Sequence, residues 1–264
     1  MNLKKICNEV IAIASDAGNF IKNERLQFRS ADVEIKGPND LVSYVDRNAE
    51  QIIISGLKPL IPHAGFIAEE NSIDCKEAEY QWVIDPLDGT TNFVHGLKPY
   101  AVSIGLLFKG SPVLGVIYEI GDNECFSAVK GMGAVMNKKT IQVSGCSSLS
   151  ESLIITGFPV NEFSRNPEYY QLMDYLIKNT HGVRRLGSAA ADLAYVSCGR
   201  CDAFYEYNLK PWDVAAGTII VQEAGGMVSD FKGNTNFIFG KEIVAANNLV
   251  FNNLLRIISK YMQG

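Results

Sequence analysis

Residues 65–143 are cut into short apolar runs, and this feature limits the fold more than any other. Gly65-Phe66-Ile67-Ala68, Gln81-Trp82-Val83-Ile84, Ala101 to Phe108, Val113 to Tyr118, Glu124 to Val129 and Ala134 to Val143 are all of strand length. Lys109-Gly110-Ser111-Pro112 and Gly131-Met132-Gly133 supply tight turns between them. Strands joined by turns this short pair antiparallel. Such a sheet needs an apolar cover, and the chain carries one upstream. Leu3, Ile6, Val10, Ile13, Ala14, Ala17, Phe20 and Ile21 recur at helical spacing over 3–26. Leu41, Val42, Val45, Ala49, Ile52, Ile53 and Leu57 do the same over 41–57, where Pro59 ends the run. Polar residues 30–40, with Gly37-Pro38-Asn39-Asp40, read as a loop.

After residue 150 the rhythm changes to alternating strand and helix. Leu153 to Thr156, Val183 to Leu186, Ala203 to Glu206, Met227 to Ser229 and Ile243 to Ala246 read as strands. Pro167 to Asn179, Ser188 to Ser197, Trp212 to Glu223 and residues 248–261 read as helices, the third stopped by Gly225-Gly226. The predicted fold is α+β: an antiparallel N-terminal half, 1–150, and an α/β half, 151–264, acting as one compact unit.

The chain has 264 residues, and its 24 Lys and Arg against 29 Asp and Glu give 24 − 29 = −5. Its 47% hydrophobic and 20% charged residues exclude a disordered chain. The acidic balance provides no general cationic field, which argues against nucleic acid as a partner. An anionic substrate would therefore need metal ions or a local basic pocket. No stretch reaches the roughly 18 apolar residues that span a bilayer. The charged opening Met1 to Glu9 reads as a helix start rather than a targeting peptide, so cytoplasm is the expected location. The six cysteines are scattered, which argues against a disulfide framework. Cys198-Gly199-Arg200-Cys201 lacks the second pair that a zinc site needs and reads as two ordinary thiols at a helix end. His63, His95 and His181 show no metal-ligand spacing.

Acidic residues stand where the strands end: Glu69-Glu70, Asp85-Pro86-Leu87-Asp88, and Asp213 at a helix start. Carboxylates at strand ends can converge, and hard oxygen ligands suit Mg²⁺. Pro86 fixes the backbone between two aspartates, Gly89 permits close approach, and Thr90-Thr91 begin a helix where N–H groups can meet an anion. Taken alone, this segment is also compatible with a capped turn. The second acidic strand end favours metal-assisted phosphate chemistry.

The run Trp-Val-Ile-Asp-Pro-Leu-Asp-Gly-Thr-Thr-Asn-Phe over 82–93 resembles a signature of the inositol monophosphatase family of Mg²⁺-dependent, lithium-sensitive phosphatases. Pro211-Trp212-Asp213-Val214-Ala215-Ala216-Gly217, followed by Glu223-Ala224-Gly225-Gly226, resembles its second signature. Phe66 to Glu70, Leu41 to Asp46 and Arg184 to Ala190 resemble its other acidic segments and the substrate loop of bacterial members. The resemblance covers nearly the whole chain and implies a layered α-β-α-β-α sandwich. It implies Glu69, Asp85 and the Leu87 carbonyl as ligands of a first metal, and Asp85, Asp88 and Asp213 of a second. Glu69 and Asp46 would serve a third, weaker metal through waters. Thr90 with Asp46 would orient and deprotonate the attacking water, and the Gly89 and Thr90 N–H groups would hold phosphate. Asp88, Gly187, Ser188, Ala189 and Glu206 would contact the substrate's alcohol part. Glu70 competes with Glu69, but neighbours on a strand face opposite ways. Arg184 and Arg185 are assigned no catalytic part, and Lys36, in the Gly-Pro loop, none that can be fixed.

The implied reaction is hydrolysis of a phosphate monoester by in-line attack of a metal-activated water. Inositol 1-phosphate is the expected substrate, with Mg²⁺ (or Mn²⁺) as cofactor and Li⁺ as inhibitor. Fructose 1,6-bisphosphate and histidinol phosphate are alternatives. A nucleotidase for adenosine 3′,5′-bisphosphate is disfavoured, because such relatives carry Lys-Glu-Phe where this chain has Thr91-Asn92-Phe93. The resemblance also implies a homodimer and allows a binding role with the transcription machinery.

Overall fold

The computed structural model describes residues 1–28, 33–37, 40–70, 78–159 and 162–262; side chains at 33, 35–37 and 40–42 are not described. Helix α1 (Leu3–Arg25) is capped by Asn2, whose side chain accepts from Lys5 N at 3.0 Å. Strands β1 (Val33–Gly37) and β2 (Asp40–Ser43) form an antiparallel pair. Helix α2 (Tyr44–Leu57) therefore starts three residues later than the apolar spacing predicts. Ser43 is the reason: its hydroxyl accepts from Val45 N, and Asp46 accepts from Ser43 N at 2.8 Å, a reciprocal cap that fixes the first turn.

Strands β3 (Gly65–Ala68), β4 (Tyr80–Asp88), β5 (Ala101–Phe108), β6 (Ser111–Glu119), β7 (Glu124–Val129), β8 (Ala134–Met136) and β9 (Lys139–Ile141) form one sheet in chain order. All its pairs are antiparallel except β3 with β4. The apolar run over 134–143 is thus a small hairpin rather than one strand. Between β4 and β5 the six-residue helix α3 (Thr90–His95) caps the site end of the sheet.

The second sheet contains β10 (Leu153–Thr156), β11 (Gly182–Arg184), β12 (Ala203–Tyr207), β13 (Gly226–Ser229) and β14 (Glu242–Asn247), in the order β11-β10-β12-β14-β13. Its strand β10 runs parallel to both neighbours, whereas β14 runs antiparallel to β12 and β13. Helices α4 (Asn166–Asn179), α5 (Ala189–Ser197), α6 (Pro211–Glu223) and α7 (Phe251–Tyr261) complete the order.

The layers follow from the packing. Helices α1 and α2 bury Val10, Ala14, Ile21, Ile53 and Leu57 against Trp82, Ile104 and Val116 on one face of the first sheet. The other face meets α5 and α6, which also pack on the second sheet through Leu193, Val214 and Phe204. Helices α4 and α7 cover its far side through Leu172, Leu176, Leu254 and Ile258. The result is the α-β-α-β-α sandwich. Its middle layer is thin because α6 lies directly on glycine. Gly105 and Gly115 face each other across β5 and β6. A Cβ on Gly115 would come within 2.4 Å of the Ala216 carbonyl, and one on Gly105 within 3.0 Å of the Ala215 Cβ.

Candidate active site

Strand β4 brings two aspartates to one side by a bulge. Asp85 pairs with Ser103 and Asp88 with Ala101, so three steps on β4 oppose two on β5. In an unbroken ladder, residues three apart would face opposite ways. The extra residue restores a common side and turns the Leu87 carbonyl toward Thr90. The Asp85 Oδ1 accepts from Leu87 N at 3.0 Å and holds the bulge closed.

Asp213 arrives from the other half of the chain. It sits in the first turn of α6, and its Oδ2 accepts from Lys210 N at 2.7 Å. Ser103, buried and paired opposite Asp85, donates its hydroxyl to the Trp212 carbonyl at 3.1 Å. That bond ties β5 to the residue preceding Asp213. Carboxylate oxygens of Asp85, Asp88 and Asp213 consequently lie within 4.8 Å of one another.

Three carboxylates this close cannot all ionise in isolation. Burial, then Glu69, Asp88 and Asp213, push Asp85 well above the usual carboxylate range. Burial, opposed by hydrogen bonds from Ser188 and Ala190, leaves Asp88 at about 6. Burial and Asp88 raise Asp213 to about 7. An all-oxygen, crowded donor set of this kind, Asp85 buried and Asp88 and Asp213 half-buried, fits a hard divalent cation.

Glu69 follows β3, and its charge reaches Asp85. The Glu70 backbone N–H donates to Glu50 Oε2 at 3.0 Å, and the charge of Glu70 acts on Asp46. Asp46 is 1% exposed at the start of α2. Its Oδ2 accepts from Ser43 N and Ser43 Oγ, and its Oδ1 faces Thr90 Oγ1 at 3.2 Å. The Thr90 hydroxyl also lies 3.0 Å from the Leu87 carbonyl. Burial raises the Asp46 carboxyl above its ordinary value despite the Ser43 hydrogen bonds.

Gly89 precedes α3 at φ +91°, where a side chain is strained, and a Cβ there would stand 3.1 Å from both the Gly187 and Pro99 carbonyls. That contact brings the Gly187-Ser188-Ala189 segment against the β4–α3 corner. Ser188 caps α5, accepting from Ala191 N at 3.3 Å, and donates to Asp88 Oδ2 at 2.6 Å; Ala190 N donates to the same oxygen at 2.6 Å. Glu206 on β12 is buried against Gly157, where a Cβ would fall 2.1 Å from Oε2. Burial, then Asp213 and Asp88, hold Glu206 well above the usual range, and Arg185 opposes them. Every residue expected at the site is thus in one neighbourhood. The Lys36 side chain lies outside the described residues.

Four further residues belong to this neighbourhood. Ser103 is the first. Asn92 is the second: its buried amide nitrogen donates to Pro99 O at 2.7 Å and Leu186 O at 2.8 Å, pinning the 187–189 segment to α3. The third is Asp192, 1% exposed, whose Oδ1 has no hydrogen-bond partner among the described residues and whose carboxyl is raised by burial and by Glu206 and Asp88. The fourth is Arg185, exposed at the rim.

The sequence model of the inositol monophosphatase family matches residues 2–263. A Nus factor SuhB of Pseudomonas aeruginosa is 40% identical over 98% of this chain and 98% of its own length. An inositol-1-monophosphatase of Mesorhizobium japonicum is 38% identical over 97% of this chain and 96% of its own. Among solved structures, the extragenic suppressor protein suhB of Bartonella henselae superposes with a TM-score of 0.92 at 38% identity, covering 97% of this chain and 99% of that one.

Proposed function

The chain belongs to the inositol monophosphatase family, and from that premise we propose that it hydrolyses polyol and sugar phosphate monoesters, inositol 1-phosphate first among them, with Mg²⁺ as cofactor. The observation that carries this reading is the Asp85, Asp88 and Asp213 cluster beside the Thr90–Asp46 pair. Glu69, Asp85, the Leu87 carbonyl, Asp88 and Asp213 are the residues to hold the cation. Bound there, Mg²⁺ would activate water and neutralise charge developing on the ester oxygens.

The remaining steps fall to the chain itself. The Gly89 and Thr90 N–H groups hold the phosphate. The Thr90 hydroxyl takes the proton of the attacking water as it passes its own to Asp46. Asp46 is suited to accept it: Ser43 fixes one of its oxygens, and burial raises its basicity. Glu206 accepts hydrogen bonds from substrate hydroxyls, with Ser188 and Ala189 beside it.

A phosphate-release screen over inositol, sugar and nucleotide phosphates tests the reading. Activity should vanish in excess chelator, return with Mg²⁺ and fall in lithium; full activity in chelator refutes it. Glu206→Gln should lower the specificity constant for inositol 1-phosphate about 10- to 150-fold, as loss of a charge-assisted hydrogen bond does, while an aryl phosphate is spared. Equal losses on both would remove Glu206 from substrate reading.

The Pseudomonas relative's name, Nus factor, supports a second reading in which the chain also binds transcription proteins. Retention of transcription proteins on the immobilised chain, compared with the Asp213→Asn variant, tests it. A cytoplasmic homodimer is part of the first reading, and sedimentation checks the dimer.

A further inference from the structure

Asp46 stands in the first turn of α2 and Thr90 begins α3, so their 3.2 Å approach depends on how those two helices are spaced. Residues at the end of α1 reach both. Phe28, half-buried just past α1, lies between them. Its ring stacks on Tyr44, the first residue of α2, with centres 6.4 Å and planes 27° apart. It also meets the Phe93 ring of α3 edge-on, at 4.9 Å and 67°. Tyr44 is two residues before Asp46, and Phe93 is three residues after Thr90. The last turn of α1 holds the same two partners. Glu24 accepts from the Tyr44 hydroxyl at 2.6 Å, and the Arg25 guanidinium sits 5.9 Å from the centre of the Phe93 ring. Arg25 Nη2 packs on Gly96, the C-cap of α3, where a Cβ would fall 2.5 Å from it. Phe93 is in turn met edge-on by Tyr100 at 5.7 Å.

A proton passes between side chains only within hydrogen-bond reach, and a misplacement of about 1 Å can cost about 10²-fold in rate. Aromatic rings in contact prefer particular separations and tilts, so a ring held between two others resists both approach and separation. We propose that Phe28 is a positioning residue for the Thr90–Asp46 pair: wedged between Tyr44 and Phe93, it sets the spacing of α2 and α3 and with it the reach of the hydroxyl to the carboxylate. This rests on the phosphatase reading above. Phe28 acts through its two aromatic neighbours and takes no part in the chemistry itself. The end of α1 thereby becomes part of the site's frame, although it carries none of the residues assigned to metal, phosphate or substrate.

The measurement is a double-mutant cycle in kcat, on the best substrate of the phosphate-release screen. Phe28→Ala should lower kcat about 10- to 100-fold with little change in KM. In the Thr90→Ala background there is no reach left to set, so Phe28→Ala should cost less than about twofold further. Phe28→Leu refills part of the gap and should return part of kcat. Phe20→Ala removes another half-buried ring that α1 packs on the same core. It should lower the melting temperature yet leave kcat, measured below the melt, within about twofold. Where Phe28→Ala melts below the assay temperature, the cycle is run with Phe28→Leu and the same pattern is expected. Equal losses from the Phe28 substitution with and without the Thr90 hydroxyl overturn the proposal. So does a kcat unmoved in a folded Phe28 variant, or a loss confined to KM. A wild type that releases no phosphate from any ester overturns the phosphatase reading itself.

Discussion

Thr90 has one hydroxyl proton and two acceptors near it, Asp46 and the Leu87 carbonyl. A group so placed can move a proton only if one acceptor is engaged elsewhere, and the Leu87 carbonyl is the one assigned to the cation. Thr90→Ala should lower kcat by roughly 10²–10⁴-fold with a much smaller change in KM, whereas Thr90→Ser should retain most activity. Alanine and serine variants with the same kcat would show that no proton passes through this hydroxyl. Asp213→Asn separates charge from shape. The amide oxygen can still accept from Lys210 N, but one of three crowded carboxylates is gone. The metal-free variant should therefore melt higher than metal-free wild type, gain little on adding Mg²⁺, and lose several powers of ten in kcat. A variant that gains as much from Mg²⁺ as wild type would place the cation elsewhere.

At the scale of elements, α6 couples the sheets because Gly105 and Gly115 let it lie on the first sheet. Gly115→Val should destabilise by about 1–3 kcal/mol through overpacking and, by lifting α6, reduce activity beyond what stability explains. Gly145→Ala is the control, since none of the described residues lies within 4 Å of its added Cβ; urea melts and kcat of both variants give the answer. These elements also show where sequence reading works. Helix α1 and strands β5 and β6 were legible, because one-faced periodicity and unbroken apolar runs have few alternative explanations. The β1–β2 pair was not: its residues are polar around Gly37-Pro38, and Leu41, Val42 and Val45 mimic helical spacing until the Ser43 cap is seen. Asp85, Asp88 and Asp213 were legible as carboxylates at element ends. Ser103 and Asn92 were not, because their partners, Trp212 and Leu186, are 109 and 94 residues away. Asp192 reads as an ordinary helix residue until its burial is known.

For the molecule as a whole, the raised carboxyls make stability depend on pH. An unfolded aspartate titrates near 3.9, whereas Asp88 and Asp213 in the metal-free fold titrate at about 6 and about 7. Between these values the native chain holds more protons than the unfolded one, so metal-free stability should fall as pH rises from about 4 to about 7 and then level at these groups. Mg²⁺ held by these carboxylates would bind the deprotonated form, so the stabilisation it adds should grow over the same window. Melting temperatures in chelator and in saturating Mg²⁺, at about pH 5 and about pH 8, measure this. A gain equal at both values would mean that these carboxyls do not titrate with the cation.

The Ser103–Trp212 bond then acquires a mechanical meaning. Without a cation, the aspartates of β4 and α6 crowd each other across a seam that joins the two parts of the chain, and the Ser103 hydroxyl is one of the bonds that cross it. A cation bound there would draw the same charges inward. The site would then work as a latch whose sign of force is set by the ion, and how firmly the two sheets are held together would report its state of loading.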